Sequence, residues 1–329
     1  MVNRLCIAAA VMLALSFAFP ALAPREPAPN FAAKRLAVHR AAEARTIVGE
    51  RLLGVEYSET TTTVGHRDAK RLSLAPDFPA LLVQWLREAG IREGDAVAIN
   101  ASGSFPGLVI ATLAAVDAIK AKPLLITSLG ASSWGANRPD YTWAHMETAL
   151  RERFPTWKSI AVSLGGDGDT AQGMDEEGRR RLQRALAHSG VPPLTPESEE
   201  EAVSARMRLW TEHNNGQLPG LLVNIGGNQA FWGTTGRDAP KTEGLLLPGT
   251  GGLYGDGVGK RFALAGKPVV HLLGIKKIAA RHGIAIPPDA ASPVWQTARP
   301  SYVSRLLAIA VLLTSLAALP RLIRGEKFI

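Results

Sequence analysis

Polar side chains and glycines recur at four places where a short apolar run of the chain ends. These four loops span residues 100–104, 128–133, 165–169 and 224–228. Glycine lets backbone N–H groups approach a ligand closely, and Ser and Asn supply uncharged hydrogen-bond donors. Tight turns also need Gly and Ser, but four such loops at one sheet edge favour a binding crevice. The predicted crevice residues are Asn100, Ser102, Gly103, Ser104, Ser132, Ser133, Trp134, Asp167, Asp169, Asn224, Gly226, Gly227 and Asn228.

Known catalytic and nucleotide-binding motifs do not define the chemistry of this crevice. The chain has no G-x-G-x-x-G fingerprint, and its glycine-rich run Gly249–Gly259 lacks the spacing and the Ser/Thr of a P-loop. Ser102 and Ser104 do not lie in a G-x-S-x-G elbow. The loops do suit an anionic group, phosphate or carboxylate, wherever a helix N-terminus follows them. The catalytic residues and the role of the Gly249–Gly259 loop therefore stay open.

Five ionisable side chains are further candidates for chemistry. Asp167 and Asp169 have the oxygen ligands that a divalent cation needs, but a solvated Gly-Asp turn is favoured. His66, His145 and His271 could act as general bases, because imidazole titrates near neutral pH. None of the three has a partner at a defined spacing, so a structural role is favoured for each. No metal site or other cofactor is predicted.

The first two loops follow strands of one strand–helix–strand unit. Ala96–Ile99 and Leu124–Thr127 are short apolar runs typical of strands buried on both faces. Pro106 suits the first position of the intervening helix, which runs to Lys120. Two consecutive strands joined by a single crossover helix lie parallel in the sheet. Both loops then lie at the carboxyl ends of adjacent strands, where open α/β sheets bind ligands.

The same alternation continues toward the end of the chain. Further strands are predicted at 159–163, 221–225 and 268–272, and further helices at 79–89, 141–154, 174–188, 195–212 and 274–282. The pattern predicts an α/β domain over residues 54–286, with a mostly parallel, doubly wound sheet and flanking helices.

Two apolar segments bracket this domain and predict attachment to a membrane. Residues 5–19 are apolar or small and are followed by Ala21-Leu22-Ala23, so residues 1–24 are a signal peptide or an uncleaved signal anchor. Pro24 argues against cleavage after Ala23, which stays open. Residues 302–320 are predicted as a transmembrane helix flanked by basic residues. The positive-inside rule then puts both termini in the cytoplasm and the domain between them outside it.

The remaining boundaries and the composition limit the possible partners. Residues 25–53 are predicted as a juxtamembrane helix (a stalk or the first helix of the domain), residues 287–301 as a linker and residues 321–329 as a cytoplasmic tail. The single cysteine, Cys6, excludes a disulfide framework. A net charge of +8 favours anionic partners, but no basic helix interleaved with aromatic residues suggests nucleic-acid binding.

Several strings resemble the poly-γ-glutamate system protein family. They are residues 54–58 (GVEYS), 100–106 (NASGSFP), 128–137 (SLGASSWGAN) and 141–143 (YTW). The resemblance covers roughly residues 50–285. It implies a component of capsule or released-polymer synthesis and export that is anchored in the bacterial inner membrane, with the synthase subunits and the anionic polymer as partners. It carries over no catalytic residue.

Three functions are compatible with these observations. The favoured hypothesis is an accessory protein that binds the growing polymer or helps to assemble the synthase. The first alternative is a γ-glutamyl hydrolase or transferase that uses Ser102 or Ser104. A receptor domain for a phosphate-bearing ligand is the second alternative, because the glycine loops suit a phosphate equally well.

Overall fold

A computed structural model describes residues 30–286, except for residues 237, 239 and 241. It shows an α/β fold and confirms the parallel sheet. The strands are β1 (Thr61–Thr63), β2 (Ala96–Ser102), β3 (Lys122–Ser128), β4 (Ala131–Ser132), β5 (Ser159–Ser163), β6 (Leu221–Ile225), β7 (Gly244–Leu246) and β8 (Val269–Leu272). The helices are α1 (Phe31–Val48), α2 (Arg67–Leu72), α3 (Asp77–Glu88), α4 (Pro106–Ala118), α5 (Trp143–Arg151), α6 (Glu176–Ser189), α7 (Glu199–Glu212), α8 (Gln229–Trp232), α9 (Val258–Leu264) and α10 (Ile275–His282), and a 3₁₀ turn, Gly49–Leu52, follows α1.

The main sheet has six strands in the order β5-β3-β2-β6-β8-β7. All neighbouring pairs are parallel except β7, which runs antiparallel to β8 at the edge. Counted along the chain, the five parallel strands follow the order 3-2-1-4-5 of Rossmann-type sheets. The direction of winding reverses between β2 and β6. Ligands of open α/β sheets bind at the carboxyl ends of the strands at such a reversal.

Apolar side chains cover both faces of this sheet. Along β2, Val97 and Ile99 belong to one core, which packs under α1, α3, α4 and α10, while Ala98 belongs to a second core with residues of α7 and α9. All seven residues of β2 are buried. Helix α4 is buried from Pro106 to Val116, because α1 and α3 cover the side of α4 that faces away from the sheet. This explains why the sequence of α4 is apolar on most sides.

Helix α1 is the first helix of the domain and not a separate stalk. Ala37, Ala41, Ala44 and Val48 of α1 are buried in the core with α3 and α4. Their spacing of three or four residues puts them on one face of the helix. The predicted helical span 25–53 contains this helix. Its buried face consists mainly of alanines, whose low hydrophobicity does not distinguish a buried helix face from an exposed one.

The predicted membrane segments lie outside the described residues, as do the linker and the cytoplasmic tail. Within residues 30–286 no helix combines the length and the apolar character needed to cross a bilayer.

The elements that the sequence did not predict are short. They are α2, α8, α9, the edge strand β7 and the two-residue strand β4. Strand β1 lies in the threonine run at residues 60–63 and pairs in parallel with β4 as a separate two-stranded sheet. Elements of two to seven residues contain too few positions for an apolar period to appear.

Candidate functional site

A cavity of about 370 Å³ lies at the carboxyl edge of the sheet. The loops after all five parallel strands contribute to its wall, and α2 closes one side. The register places Ser102, Ser128 and Ser163 side by side at the ends of β2, β3 and β5. Because the strands are parallel and in register, the first two predicted loops open on the same edge. Among the predicted crevice residues, those that line the cavity are Ser102, Ser104, Ser132, Asp167, Gly227 and Asn228.

The cavity contains a paired lysine and serine. Lys70 Nζ lies 2.7 Å from Ser132 Oγ. The Lys70 amine also donates to the Ser104 carbonyl oxygen and lies 3.6 Å from the centre of the Phe105 ring. Within the described part of the chain, no carboxylate forms an ion pair with Lys70. The amine therefore has one hydroxyl and one carbonyl as its hydrogen-bonding neighbours.

Burial changes the acidity of this lysine. The Lys70 side chain is 1% exposed, and loss of hydration lowers its pKa from 10.5 to about 7. A substantial fraction of Lys70 is then a neutral amine at neutral pH, with a lone pair that can accept the proton of the Ser132 hydroxyl. Pairing of a serine with a neutral lysine is one of the known ways to activate a serine nucleophile.

The pairing of β1 with β4 brings Lys70 to Ser132. In this pair Thr63 lies opposite Ser132, and the Ser133 N–H donates to the Thr63 carbonyl at 3.0 Å. Gly65 then turns the chain into α2, which carries Lys70. A Cβ at position 65 would lie 2.5 Å from the Ser133 carbonyl oxygen and 3.1 Å from Ser132 Oγ. Only glycine lets the backbone pass this close to the serine hydroxyl.

The two serines predicted as possible nucleophiles support the site in a different way. Ser104 Oγ accepts the Ser132 N–H at 3.1 Å, so it helps to hold the strand that carries Ser132. Ser102 Oγ lies 3.4 Å from the Ile225 carbonyl and 3.4 Å from the Ser104 N–H. Neither hydroxyl has a base within hydrogen-bonding distance among the described residues. Ser132, by contrast, has the Lys70 amine 2.7 Å from its hydroxyl.

The far wall of the cavity is held by amide side chains. Asn228 caps α8 by accepting the Ala230 N–H at 2.9 Å, and its Nδ2 donates to Ser128 Oγ. Gln229 Nε2 donates to the Asp167 carboxylate at 2.6 Å. Asp167 is thus placed at the cavity but is already bonded to a neutral amide. In the described part of the chain, no group of three or more His, Cys, Asp or Glu side chains could hold a metal ion.

Three predicted crevice residues lie beneath the cavity in a buried polar network. Arg206 of α7 forms an ion pair with Asp169 at 2.7 Å and donates through Nε to Asn100 Oδ1 at 3.0 Å. Asn100 Nδ2 in turn donates to Asn224 Oδ1 at 2.7 Å. Ser163 Oγ also donates to Asp169 at 2.7 Å. This network ties the loop after β5 to the middle of the sheet, so these side chains support the cavity and do not line it.

The other four predicted residues shape the loops. A Cβ at Gly103 would lie 2.6 Å from the Leu129 carbonyl, and a Cβ at Gly226 would lie 2.5 Å from Ser102 Oγ. Ser133 is buried beside Thr63. Trp134 has a φ of 63°, its N–H donates to the Val55 carbonyl, and Arg67 covers its ring.

The three candidate histidines are dispersed. His66 is exposed at the mouth of the cavity and precedes α2. His271 is fully buried in β8, where it stacks on Phe231 and its Nδ1 lies 2.7 Å from the Thr242 carbonyl oxygen. His145 belongs to the capping box of α5 and lies in a different cleft.

Lys70 is the residue that sequence reasoning missed. It lies in the stretch Arg67-Asp-Ala-Lys-Arg-Leu72, whose charged residues are typical of an exposed surface helix. Ser132 was predicted at the crevice but not as a nucleophile. One weak signal was present, since the hydroxyl-rich run Thr60–Thr63 and Gly65 precede Lys70 directly.

No family model matches this chain, and no curated protein matches it. Among solved structures, part of the chain is similar to the alcohol dehydrogenase TADH from Thermus sp. ATN1, with 17% sequence identity and a TM-score of 0.20. That match covers 48% of this chain, which spans about a third (32%) of the dehydrogenase chain. A likeness this low carries no argument about function.

Proposed function

We propose that the domain is a serine–lysine acyl hydrolase or transferase, with Ser132 as the nucleophile and Lys70 as its base. The observation that carries this proposal is the 2.7 Å contact between Lys70 Nζ and Ser132 Oγ inside a cavity at the switch point of the sheet. Burial supplies the neutral amine that such a base requires. Among the three hypotheses from the sequence, this geometry favours the enzyme.

The reaction follows from the two side chains. As Ser132 Oγ attacks the carbonyl carbon of an amide, its proton moves to the Lys70 amine. The resulting ammonium returns that proton to the nitrogen of the departing amine, and the acyl group stays on Ser132 as an ester. Water, or a second amine, then attacks the ester while Lys70 accepts its proton. Lys70 returns this proton to Ser132 Oγ as the ester C–O bond breaks, which restores both side chains. Water gives hydrolysis and an amine gives transfer.

The substrate we propose is the γ-glutamyl amide bond of poly-γ-glutamate. The sequence resemblance supports this choice, and the cavity is compatible with it. The ionisable residues among those that line the cavity are His66, Lys70 and Asp167, and the other polar lining groups are neutral hydroxyls, amides and backbone groups. Such neutral groups suit the scissile amide itself. The lining has no arginine for the α-carboxylates that flank this amide, so the choice of polymer rests on the sequence resemblance. Membrane attachment, an extracytoplasmic location and assembly with the synthase subunits are proposals that rest on the sequence alone.

Covalent labelling tests the chemistry without assuming a substrate. A fluorophosphonate probe phosphonylates activated serine hydroxyls with loss of fluoride. We expect one adduct, on Ser132, located by mass spectrometry of peptides. Ser132→Ala should abolish the labelling, while Ser133→Ala, at the neighbouring position outside the cavity, should retain it. An adduct on Ser102 or Ser104, or no adduct at all, would rule out Ser132 as the nucleophile.

Incubation with γ-linked oligoglutamate tests the substrate separately. Shortening of the oligomer by the wild type but not by Ser132→Ala supports both parts of the proposal. Labelling of Ser132 without any shortening would keep the serine–lysine chemistry and exclude this substrate.

The labelling rate should depend on pH with a midpoint near 7. The reactive form is the neutral Lys70 amine, and burial lowers the pKa of Lys70 to about 7. The rate should therefore rise about tenfold per pH unit below 7 and level off above about pH 8. A solvated lysine would instead give a midpoint near 10.4. Rates measured from pH 5 to pH 10 decide between the two, and a midpoint above 9 would contradict the proposed role of Lys70.

A further inference from the structure

A second cavity, of about 250 Å³, lies between α5 and α6 and shares no lining residue with the cavity at Ser132. Its lining residues are Pro139, His145, Arg181, Arg184, Ala185 and His188. We call it the basic cleft. The four residues from α6 are spaced three, one and three positions apart, so they form one face of that helix. The basic cleft thus presents two guanidinium and two imidazole groups to one small volume.

The carboxylates nearby are too few to balance these cations. Arg181 Nε forms an ion pair with Glu177 at 2.8 Å, and Arg180 also binds Glu177 at 2.9 Å. The charge of Arg184 also acts on the Glu177 carboxylate. The pKa of Glu177 is lowered first by the hydrogen bond from Arg180 and further by the charges of Arg181 and Arg184. Arg180 also pairs with Glu176 at 2.9 Å, so Glu177 is the carboxylate left for Arg181 and Arg184 to share. Arg184 itself is exposed and forms no ion pair among the described residues.

The opposite wall offers a hydrogen-bond donor. The Thr142 N–H donates to His145 Nδ1 at 3.2 Å in the capping box of α5. Neutral His145 therefore carries its proton on Nε2. Its pKa is lowered by burial first and also by the charges of His188 and Arg51, against which Asp140 acts. Among the charges that act on His145, the Asp140 carboxylate has the largest effect, and His188 and Arg51 act against it. An anion in the cleft would be attracted by the arginines of α6 and repelled by Asp140.

We propose that the basic cleft is a binding site for an oxyanion, either a phosphate or a carboxylate group of a small ligand. Guanidinium groups recognise both chemistries through charge-assisted hydrogen bonds. The proposal does not depend on acyl chemistry at Ser132. It also gives the positive charge of the chain a specific location on the described surface.

Calorimetric titration of the protein at low ionic strength with inorganic phosphate, and separately with glutarate, tests this site. Binding of either anion supports the proposal, and the tighter of the two identifies the preferred group. Arg184→Gln should weaken binding about tenfold, because one charge-assisted contact is lost. In the wild type, the ring signals of His145 and His188 in NMR spectra should shift on titration.

The matched control is Arg179→Gln. Arg179 is exposed on α6 but does not line the cleft. The Arg179→Gln substitution therefore removes one positive charge from the same helix without removing a contact in the cleft. It should change the affinity less than about twofold, because exposed charges outside a contact are largely screened. If Arg184→Gln and Arg179→Gln weaken anion binding equally, the anion is attracted to the basic helix as a whole, and the proposed site is wrong. Absence of binding by both anions at millimolar concentration would overturn it as well.

Discussion

Lys70→Met is expected to lower the rate of serine labelling and of any hydrolysis by roughly 10²- to 10⁴-fold, the usual contribution of a general base. Methionine matches the lysine side chain as far as Cε and can pack against Phe105, but it has no amine to accept a proton. The domain should nevertheless stay folded. Burial lowers the pKa of Lys70 from 10.5 to about 7, which corresponds to a cost of about 5 kcal/mol for keeping the ammonium form in the folded state. Loss of the hydrogen bonds to Ser104 and Ser132 offsets part of the gain, so at neutral pH we expect no loss of stability.

The pH dependence of stability provides a second signature of the same residue. Between pH 7 and about 10.5 the unfolded chain keeps the proton on Lys70 while the folded protein has lost it. The free energy of unfolding of the wild type should therefore rise with pH across this window. Lys70→Met should lack this rise. Urea unfolding at pH 7 and pH 9.5 measures the difference.

Lys120→Met is the control for Lys70→Met. Lys120 is exposed, in an ion pair with Glu93 at 3.3 Å, and its replacement should alter neither the labelling rate nor the pH dependence of stability. A Lys70→Met protein that is strongly destabilised at pH 7 would indicate that a charged Lys70 holds the loops together, and the catalytic assignment would fail.

Arg206→Met is expected to destabilise the domain by about 3–5 kcal/mol, because it leaves the Asp169 carboxylate buried without its counterion. Arg206 is fully buried and Asp169 is 2% exposed, so water cannot replace the lost partner. Asp169 also has a φ of 65°, a backbone conformation that is costly for a residue other than glycine. The ion pair helps to hold this conformation in the loop that forms one wall of the cavity. Chemical denaturation of the purified domain gives the free energy of unfolding.

Two further variants separate the charge effect from simple loss of packing. Arg208→Met, two residues further along α7, breaks an exposed contact with Glu212 at 3.9 Å and should cost under about 1 kcal/mol. Adding Asp169→Asn to Arg206→Met removes the stranded charge and keeps a residue that tolerates positive φ. The double variant should recover part of the lost stability. If it is no more stable than the single variant, the cost of Arg206→Met comes from packing and not from an unpaired charge.

The sequence by itself determined the class of the fold and the edge of the sheet where the site lies. Strands β5 and β6 have the predicted bounds, because the apolar side chains at 160–162 and 221–223 suit a sheet covered on both faces and glycine-containing loops follow both strands. Some helix ends differ from their predicted positions, because a different nearby residue caps the helix. The helix predicted to begin at Thr195 begins later, because Ser198 accepts the Glu201 N–H and caps α7. Short elements such as β7 escaped prediction, since three residues show no period.

Only the tertiary structure decided which of the loop residues meet and what chemistry they have. Lys70 and Ser132 are 62 residues apart, and they meet because two strands of two or three residues pair outside the main sheet. Such a pairing leaves no pattern in the sequence, because backbone groups supply its hydrogen bonds. The acidity of Lys70 is likewise set by the apolar and uncharged groups around it, which come from distant parts of the chain. Composition thus indicates where the crevice lies, while burial lowers the pKa of a lysine whose sequence context is typical of a surface helix.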